Sequence, residues 1–292
     1  MDAIIKYRGG KRREIPQFIN FIPADYDTYI EPFLGGGAVF FQQEPNNAII
    51  NDINEPLINF YRQLATQYDR VMDELQTLHE IYEHNEDVYS TKKMRNPEIR
   101  IENGNEPLYY RLRDMYNSII PSEYLPATLY YFINKTAYSG MLRFNAQGQY
   151  NVPYGRYKHF NVNIITEGHR DLLQRTHILN DDFENVFNLA QTNDFIFLDP
   201  PYDCTFHEYG NLTDDFNEAE QRRLAGAFYN LNCRALMVIS RTPLTTELYG
   251  QNVVAEYPIR YSVNIRNRFT GDASHIAVSY THLRAHETDQ YL

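Results

Sequence analysis

The chain has 292 residues, of which 43% are hydrophobic and 22% charged, which is enough for one large domain or two smaller ones. No apolar run approaches the ~18–20 residues of a membrane span, and the first residues lack an apolar leader, so we expect a cytoplasmic protein. Two cysteines cannot form a disulfide framework or a four-ligand zinc site, so the sequence predicts no metal centre of that kind.

The net charge of -11 is distributed unevenly along the chain. Residues 1–20 carry five Lys/Arg against two Asp/Glu, and residues 130–175 carry six against two. Residues 176–220, in contrast, carry eleven Asp/Glu and no Lys or Arg. A local basic face can bind phosphates even when the whole protein is acidic. From charge alone, scattered solvated charge is an equally good interpretation.

The first elements predict half of a nucleotide-binding α/β fold. Residues 11–22 have apolar side chains at helical spacing and predict an amphipathic helix. Residues 29–33 predict a strand that enters a glycine turn and then a helix, and residues 48–51 predict a second strand that ends at Asp52. Such a half is expected to have the order strand, glycine loop, helix, strand and acid.

From Pro56 the pattern becomes mainly helical and ends in a hairpin with its turn at Asn145–Gly148. The predicted elements are a helix over 57–78, a loop over 85–106, helices over 107–119 and 125–137, and the hairpin over 142–150. We therefore interpret residues 56–159 as an insertion in an α/β core formed by residues 1–55 and 160–277.

The α/β pattern resumes after the insertion. Strands are predicted at 177–180, 194–198 and 235–240, helices at 183–190 and 217–231, and a final antiparallel pair at 252–258 and 275–280. The fold class is thus α/β, with a Rossmann-like sheet, a mainly helical insertion and a β-hairpin.

Asp199-Pro200-Pro201-Tyr202, directly after an apolar strand, is the sharpest motif. Open α/β sheets bind ligands at the carboxyl ends of their strands. The Asp199 carboxylate and the Pro200 carbonyl can accept the two hydrogens of an exocyclic amine, which favours a pyramidal nitrogen with its lone pair toward a methyl donor. If the amine belongs to a nucleic-acid base, Tyr202 can stack on that base, which must first leave the DNA duplex. The alternative is an ordinary turn after a core strand.

Two glycine-bearing segments accompany that motif. Residues 31–37 contain three consecutive glycines after a strand, and Asp52 ends the next strand, where an acid can bind ribose hydroxyls. No Lys-Ser/Thr pair follows the glycines, so this is not a phosphate-binding P-loop. The segment fits a nucleoside cofactor without phosphates, such as S-adenosylmethionine. Residues 6–11 form a basic turn that can face an anion. The alternatives are a plain strand-to-helix turn and a solvated N-terminal arm.

Over residues 4–277 the sequence resembles the Dam-type, D12 class of DNA adenine-N6 methyltransferases, with the motifs in the family's order. The family more often has Trp-Ala in place of Tyr7-Arg8. The resemblance implies S-adenosylmethionine as cofactor and Asp199, Pro200 and Tyr202 as the catalytic group, in a motif that continues through Asp203–Phe206. Implied cofactor contacts are Tyr7, Lys11, Glu31, Phe33, Gly35, Gly37, Asp52, Asp182, Phe183 and Asp199.

Residues 134–157 resemble the target-recognition hairpin of members that modify GATC. By this resemblance Arg143 would read a guanine edge and Tyr138 would insert near the flipped base. Ser139 and Met141 stand where many GATC methylases carry Asn and Leu. The implied DNA contacts are Lys6, Lys135, Tyr138, Ser139, Met141, Arg143, Asn145, Pro153, Arg156 and Tyr157, and we add Lys158 as a phosphate contact.

The sequence thus predicts a site-specific DNA adenine-N6 methyltransferase acting on GATC in double-stranded DNA, without a metal, as a monomer in a bacterial or phage-infected cell. A cognate restriction endonuclease is the expected genetic partner. The alternatives are an inactive DNA-binding homologue, an adenine methylase with another recognition sequence, or a methyltransferase for RNA or protein glutamine. Protein-directed relatives usually carry Asn where this chain has Asp199.

Residues 278–288, Val-Ser-Tyr-Thr-His-Leu-Arg-Ala-His-Glu-Thr, resemble the translation of a transposon-type sequencing adapter. We therefore predict that residues 278–292 are a non-native tail and that the core ends near Ala277. The alternative is an ordinary polar C-terminal tail.

Overall fold

The computed structural model describes residues 1–7, 9–202, 216–259 and 273–280. Its strands are β1 (Tyr29–Glu31), β2 (Ala48–Asn51), β3 (Thr176–Leu179), β4 (Phe195–Leu198), β5 (Arg234–Ser240), β6 (Val253–Pro258) and β7 (Ser274–Tyr280). They form a seven-stranded sheet in the order β3-β2-β1-β4-β5-β7-β6. The first five are parallel, whereas β7 runs antiparallel to both β5 and β6. The α/β fold predicted from the sequence is confirmed.

Helices cover both faces of this sheet. They are α1 (Ile15–Phe18), α2 (Ala38–Gln43), α3 (Glu55–Thr66), α4 (Tyr68–Arg95), α5 (Asn105–Tyr116), α6 (Pro126–Thr136), α7 (Glu167–Gln174), α8 (Phe183–Phe187), α9 (Glu218–Tyr229) and α10 (Pro243–Tyr249). No helix in the described ranges is both long and apolar enough to span a membrane.

Strand alternation divides the core into two clusters. In β4, Phe195 and Phe197 join the cluster on one face, and Ile196 and Leu198 join the cluster on the other. The first cluster also contains α1 and the buried residues of the insertion, and the second contains α8, α9 and α10. By the same alternation Asp199, which follows Leu198, is directed toward the face that carries the N-terminal segment.

The strand order reverses between β1 and β4, which are parallel neighbours. Helical crossovers on the two sides of this point leave a crevice at the carboxyl ends of the strands, where open α/β sheets bind their ligands. The segment with three consecutive glycines, residues 32–37 and called the glycine segment below, follows β1, and Asp199 follows β4. The topology therefore brings both sequence motifs to one crevice.

The helix predicted over 11–22 and the loop predicted over 85–106 both require correction. The first segment consists of short 3₁₀ turns at Lys11–Arg13 and Ile19–Phe21 on either side of α1. The loop predicted over 85–106 is wrong up to Arg95, because α4 continues to that residue. Tyr82 anchors α4 against three aromatic rings, so the polar residues that follow continue as a solvated helix. In the predicted hairpin, a single bridge joins Phe144 to Tyr150.

The insertion is packed continuously with the sheet. Helix α3 contacts α7 and β3 as well as α6, and buried side chains of α3 to α6 belong to the same cluster as those of one sheet face. The predicted division at residues 55 and 160 therefore stays a prediction.

Strand β7 extends past the predicted core boundary at Ala277. Val278 is fully buried and pairs with Met237, and Tyr280 pairs with Ala235 of β5. Residues 278–280 thus lie in the sheet, because their pairing with β5 continues the register of the rest of the strand. Residues 281–292, the rest of the predicted tail, lie outside the described residues, and the adapter origin stays a prediction.

Candidate active site

Asp199 is held by a buried lysine and by the tyrosine of its own motif. Lys11 Nζ lies 2.8 Å from Asp199 Oδ1, and Lys11 is only 2% exposed. The Tyr202 hydroxyl donates to the same oxygen at 3.1 Å, and the Lys11 ammonium lies 4.8 Å from the centre of the Tyr202 ring. Burial raises the pKa of Asp199, although the charge and hydrogen bond of Lys11 oppose the rise. Within the described residues both contacts fall on Oδ1, which fixes the orientation of the carboxylate.

A second group of side chains supports Tyr202. The His275 ring of β7 meets the Tyr202 ring edge-on, with the centroids 4.7 Å apart, and His275 Nδ1 lies 2.7 Å from Glu14 Oε2. The Tyr257 hydroxyl of β6 donates to the same Glu14 oxygen at 3.1 Å. Burial opposes ionisation of Glu14, but the hydrogen bond to His275 and the charge of Lys11 lower its pKa overall. The N-terminal segment, β6 and β7 therefore converge behind the Asp199–Tyr202 motif.

The backbone of the glycine segment is hydrogen-bonded to the Asp52 side chain. Gly35 N–H donates to Asp52 Oδ2 at 2.8 Å, and Asn54 N–H donates to Oδ1 at 2.9 Å. Gly35 and Gly37 have φ angles of +49° and +66°, which favour glycine, and a Cβ on Gly35 would lie 2.9 Å from the Tyr7 ring. Burial raises the pKa of Asp52, against these backbone hydrogen bonds.

Glu31 ends β1 below the glycine segment, and its carboxyl accepts a hydrogen bond from the Tyr29 hydroxyl at 2.6 Å. Burial raises the pKa of Glu31 to about 8; the hydrogen bond from Tyr29 opposes the rise, and the nearby charges of Asp199 and Asp52 add to it. Three carboxyl groups therefore share one end of the sheet. Across the described part of the chain, no group of three or more His, Cys, Asp or Glu is arranged to hold a metal ion.

An aromatic cluster lies on the other side of β1. The Phe33 ring packs 5.4 Å from Phe183 and 5.9 Å from Phe216, with distances between ring centroids. Asp182 caps the start of α8 by accepting from Glu184 N–H, and it forms a two-pronged ion pair with Arg223. Phe33, Asp182 and Phe183 are thus neighbours, but the Asp182 carboxylate is directed toward Arg223.

The N-terminal segment also contacts the predicted recognition segment, residues 134–157. Lys6 N–H donates to Asn134 Oδ1 at 2.8 Å, and the Asn134 amide returns a hydrogen bond to the Lys6 carbonyl at 2.7 Å. Lys6 Nζ lies 3.8 Å from the Tyr157 ring centroid and donates to the Lys135 carbonyl. Burial lowers the pKa of Lys6, and burial together with the Lys6 charge lowers that of Lys135 to about 8. Tyr7, the next residue, packs against the glycine segment. Lys6 and Tyr7 therefore connect the predicted recognition segment with the predicted cofactor site.

The tip of the recognition segment is exposed. Tyr138 is 53% exposed, and its N–H donates to the Pro153 carbonyl at 2.9 Å. Ser139 and Arg156 have left-handed φ angles of 55° and 54°, and both side chains are exposed, whereas Met141 is half-buried. An aromatic ring in this setting is accessible to a partner.

Arg143 and Asn145 have different surroundings within the hairpin. Arg143 is exposed, and two of its nitrogens contact Asn151 at 2.7 and 3.1 Å. The Asn145 side chain accepts from the N–H groups of Gln147 and Gln149 at 3.0 and 2.9 Å, so it shapes the turn. The predicted DNA contact of Asn145 therefore competes with a local structural role.

Sequence reasoning did not identify Glu14, Asn151, Phe216, Tyr257 or His275 as parts of these sites. Asn151 stands inside the recognition motif, which was the signal available for it. The others act through contacts between distant segments, which leave no local pattern. Arg8 and Asp203–Phe206, both quoted from the motifs, lie outside the described residues.

Comparison with known proteins agrees with these motifs. The family model for D12 class N6 adenine-specific DNA methyltransferases matches residues 7–263. The chain is 32% identical over 288 residues to the Type II methyltransferase M.CviBI of Paramecium bursaria Chlorella virus NC1A, covering 97% of this chain and 98% of the relative. It is 32% identical over 267 residues to the Type II methyltransferase M.MjaIII of Methanocaldococcus jannaschii, covering 85% and 86%. It is 26% identical over 269 residues to the DNA adenine methylase of Salmonella typhi, covering 90% and 89%. Because the family model spans most of the sequence, the chain belongs to the D12 class N6 adenine-specific DNA methyltransferases.

Proposed function

We propose that the protein is a site-specific enzyme that transfers a methyl group from S-adenosylmethionine to N6 of a flipped adenine within GATC. The observation that carries this proposal is the fixed Asp199 at the carboxyl end of β4, held by buried Lys11 and by Tyr202. An ordinary turn after a core strand needs no buried ion pair of this kind. The pair gives Asp199 one orientation toward the crevice.

The residues around the crevice fit S-adenosylmethionine, which is cationic at its sulfonium and amino groups. Glu31, Asp52 and Asp199 place three carboxyl groups close together, and Lys11 pairs with one of them. Burial raises the pKa of each carboxyl, and a bound cation would favour their ionised forms. Asp52 would accept from the ribose hydroxyls, and Phe33 with Phe183 and Phe216 would pack against the adenine ring. When bound, S-adenosylmethionine would supply an electrophilic methyl group.

On the substrate side, Asp199 and the Pro200 carbonyl would accept the two N6 hydrogens of adenine. The lone pair of the nitrogen would then be available to form the new N–C bond, while the pair of the broken S–C bond stays on sulfur. Asp199, whose pKa is raised by burial, can take the proton that the nitrogen loses and pass it to water. Lys11 and Tyr202 hold the carboxylate in place, so catalysis comes from positioning and electrostatics.

The exposed recognition segment supports a duplex DNA substrate. Tyr138, at the tip of this segment, has an accessible ring that could fill the space left by a flipped base. Arg143 presents a guanidinium whose donors match the two acceptors on the major-groove edge of guanine. Ser139 and Met141 leave an adenine methylase with another recognition sequence as the second candidate. Relatives called Type II methyltransferases support a cognate restriction endonuclease as the genetic partner.

The test is transfer of labelled methyl groups to duplexes that contain GATC or a site with one substituted base, followed by long-read sequencing of a treated plasmid. We expect N6-methyladenine at GATC above all other contexts. Methylation at another motif would support the second candidate. Absence of transfer to any duplex, with DNA binding retained, would support an inactive homologue. Transfer to RNA or to a glutamine-containing protein in preference to DNA would contradict the proposal.

A further inference from the structure

We propose that Asn151 determines specificity by holding Arg143 with one edge of its guanidinium free for a base. Asn151 would act as a positioning residue, since its own side chain is directed at Arg143. The inference rests on the proposed role of Arg143 at guanine and adds the residue that prepares Arg143 for it.

Asn151 binds one particular edge of the guanidinium. Its side-chain oxygen accepts from Arg143 Nε at 2.7 Å, and its backbone carbonyl accepts from Nη2 at 3.1 Å. These two donors form the side-on fork of arginine. Among the described residues, no Asp or Glu lies within ion-pair distance of Arg143. The Arg143 charge therefore remains available to a ligand.

The donors that remain suit guanine. An arginine carries five N–H groups, so the two contacts leave both hydrogens of Nη1 and the second hydrogen of Nη2. Nη1 and Nη2 together form the end-on fork, whose spacing matches O6 and N7 of guanine. By occupying the side-on fork, Asn151 selects the end-on geometry.

Asn151 can impose this geometry because it is anchored in the insertion. Its N–H donates to the Arg143 carbonyl at 3.0 Å, which joins the two strands of the hairpin. The preceding Tyr150 is 2% exposed, and its backbone exchanges hydrogen bonds of 2.8 and 2.9 Å with the Asn117 side chain of the segment after α5. The Tyr150 hydroxyl donates to the Met141 carbonyl. Arg143 is therefore ordered from a buried support before DNA arrives.

Pre-ordering a long side chain removes part of the entropy cost of binding, and this gain is specific to the correct base. We expect Asn151→Ala to lower the ratio of kcat/KM on GATC to kcat/KM on a guanine-substituted site by about 3–10-fold. Asn151→Asp keeps an oxygen for Arg143 Nε and should retain the ratio, while its added negative charge lowers both rates. Because Asn151 acts through Arg143, Asn151→Ala should add nothing in a protein that already carries Arg143→Ala.

The experiment measures both rates for the wild type, Asn151→Ala, Asn151→Asp, Arg143→Ala and the double variant, with thermal unfolding to confirm that each is folded. Gln147→Ala is the matched control, because Gln147 is exposed in the same hairpin and its contact with Asn145 is made by its backbone N–H, which the substitution keeps. The inference is overturned if Arg143→Ala lowers the ratio and Asn151→Ala does not, or if Asn151→Ala lowers it equally in the Arg143→Ala background. A ratio unchanged by Arg143→Ala overturns the guanine-reading role itself, and the inference with it.

Discussion

The carboxyl end of β4 and the recognition segment are joined to the rest of the molecule in different ways. Asp199 is paired with Lys11 from the start of the chain, and the Tyr202 ring packs against His275 from near its end. At the hairpin of the recognition segment, Arg143 bonds Asn151, eight positions away, and Asn145 bonds Gln149, four positions away. The long-range bond of this segment to Lys6 is made by Asn134, before the hairpin. Lys11 and His275 are buried and Asp199 and Tyr202 are half-buried, whereas Arg143 and Tyr138 are exposed.

Under the proposed function, this difference separates the residues of methyl transfer from those of sequence recognition. A buried charge that loses its partner destabilises the protein, so the contact of Lys11 with Asp199 tolerates little change. Exposed side chains that bond locally can be exchanged at small cost in folding free energy. We therefore expect changes at the sheet to affect turnover and stability together, and changes at exposed residues of the recognition segment to affect DNA binding with little loss of stability.

The largest effect is expected from Asp199→Ala. Loss of the group that accepts the N6 hydrogens should lower turnover by at least about 10²–10³-fold, while DNA binding is largely kept. Lys11 would be left buried without its partner, so the free energy of unfolding should also fall by about 3–5 kcal/mol. Single-turnover methylation, DNA binding and chemical unfolding measure the three quantities.

The control for that experiment is a double variant, Asp199→Ala with Lys11→Met, which removes both charges. It should recover stability and remain inactive. Near-normal turnover in Asp199→Ala would contradict the catalytic assignment, and unchanged stability would contradict the importance of the buried pair.

A smaller effect is expected from shortening β7. Truncation after Ala277 removes buried Val278 and the Tyr280 ring, which packs 5.6 Å from Phe228 between centroids. We expect a loss of about 2–4 kcal/mol in unfolding free energy and slower turnover, because His275 lies on the same strand. Truncation after Tyr280 is the matched control and should leave the melting temperature unchanged. Equal melting temperatures for the two truncations would show that residues 278–280 contribute nothing.

Glu31→Gln should stabilise the protein at high pH. Because the pKa of Glu31 is raised to about 8, the folded state holds a proton that the unfolded state releases near pH ~4.5, and wild-type stability falls between these values. The variant lacks this dependence, so it should be more stable by about 1–3 kcal/mol at pH 8 and equal to the wild type at pH 4. Urea unfolding at both pH values measures the difference. A destabilised variant at pH 8 would show that Glu31 is ionised in the folded protein.

The smallest effect is expected at Lys158, an exposed residue directly after the recognition segment. If it contacts a phosphate, Lys158→Ala should weaken binding to all sequences alike and reduce the slope of log affinity against log salt by about 1. Lys92→Ala, an exposed lysine near the end of α4, is the control. A loss confined to GATC would assign Lys158 to base recognition instead.

The sequence by itself determined the elements that local patterns control. Apolar runs that end in an acid predicted β2 with Asp52 and β4 with Asp199, each acid at the carboxyl end of its strand, where open α/β sheets bind ligands. Consecutive glycines predicted the turn after β1, where Gly35 and Gly37 have φ angles that other residues avoid. Each of these features depends on neighbours within a few positions.

Only the tertiary structure decided which partners these residues have. The cofactor contact of Lys11 stays a prediction, whereas the structure shows its side chain buried against Asp199, and this pairing depends on the path of the N-terminal segment across the sheet. Glu14 and His275 carry no local signal, because their contact joins the two ends of the chain. Helix α4 extends to Arg95 despite its polar sequence, since Tyr82 anchors it to rings from other segments. Local sequence sets each residue's own conformation, whereas long-range packing chooses the groups that surround it.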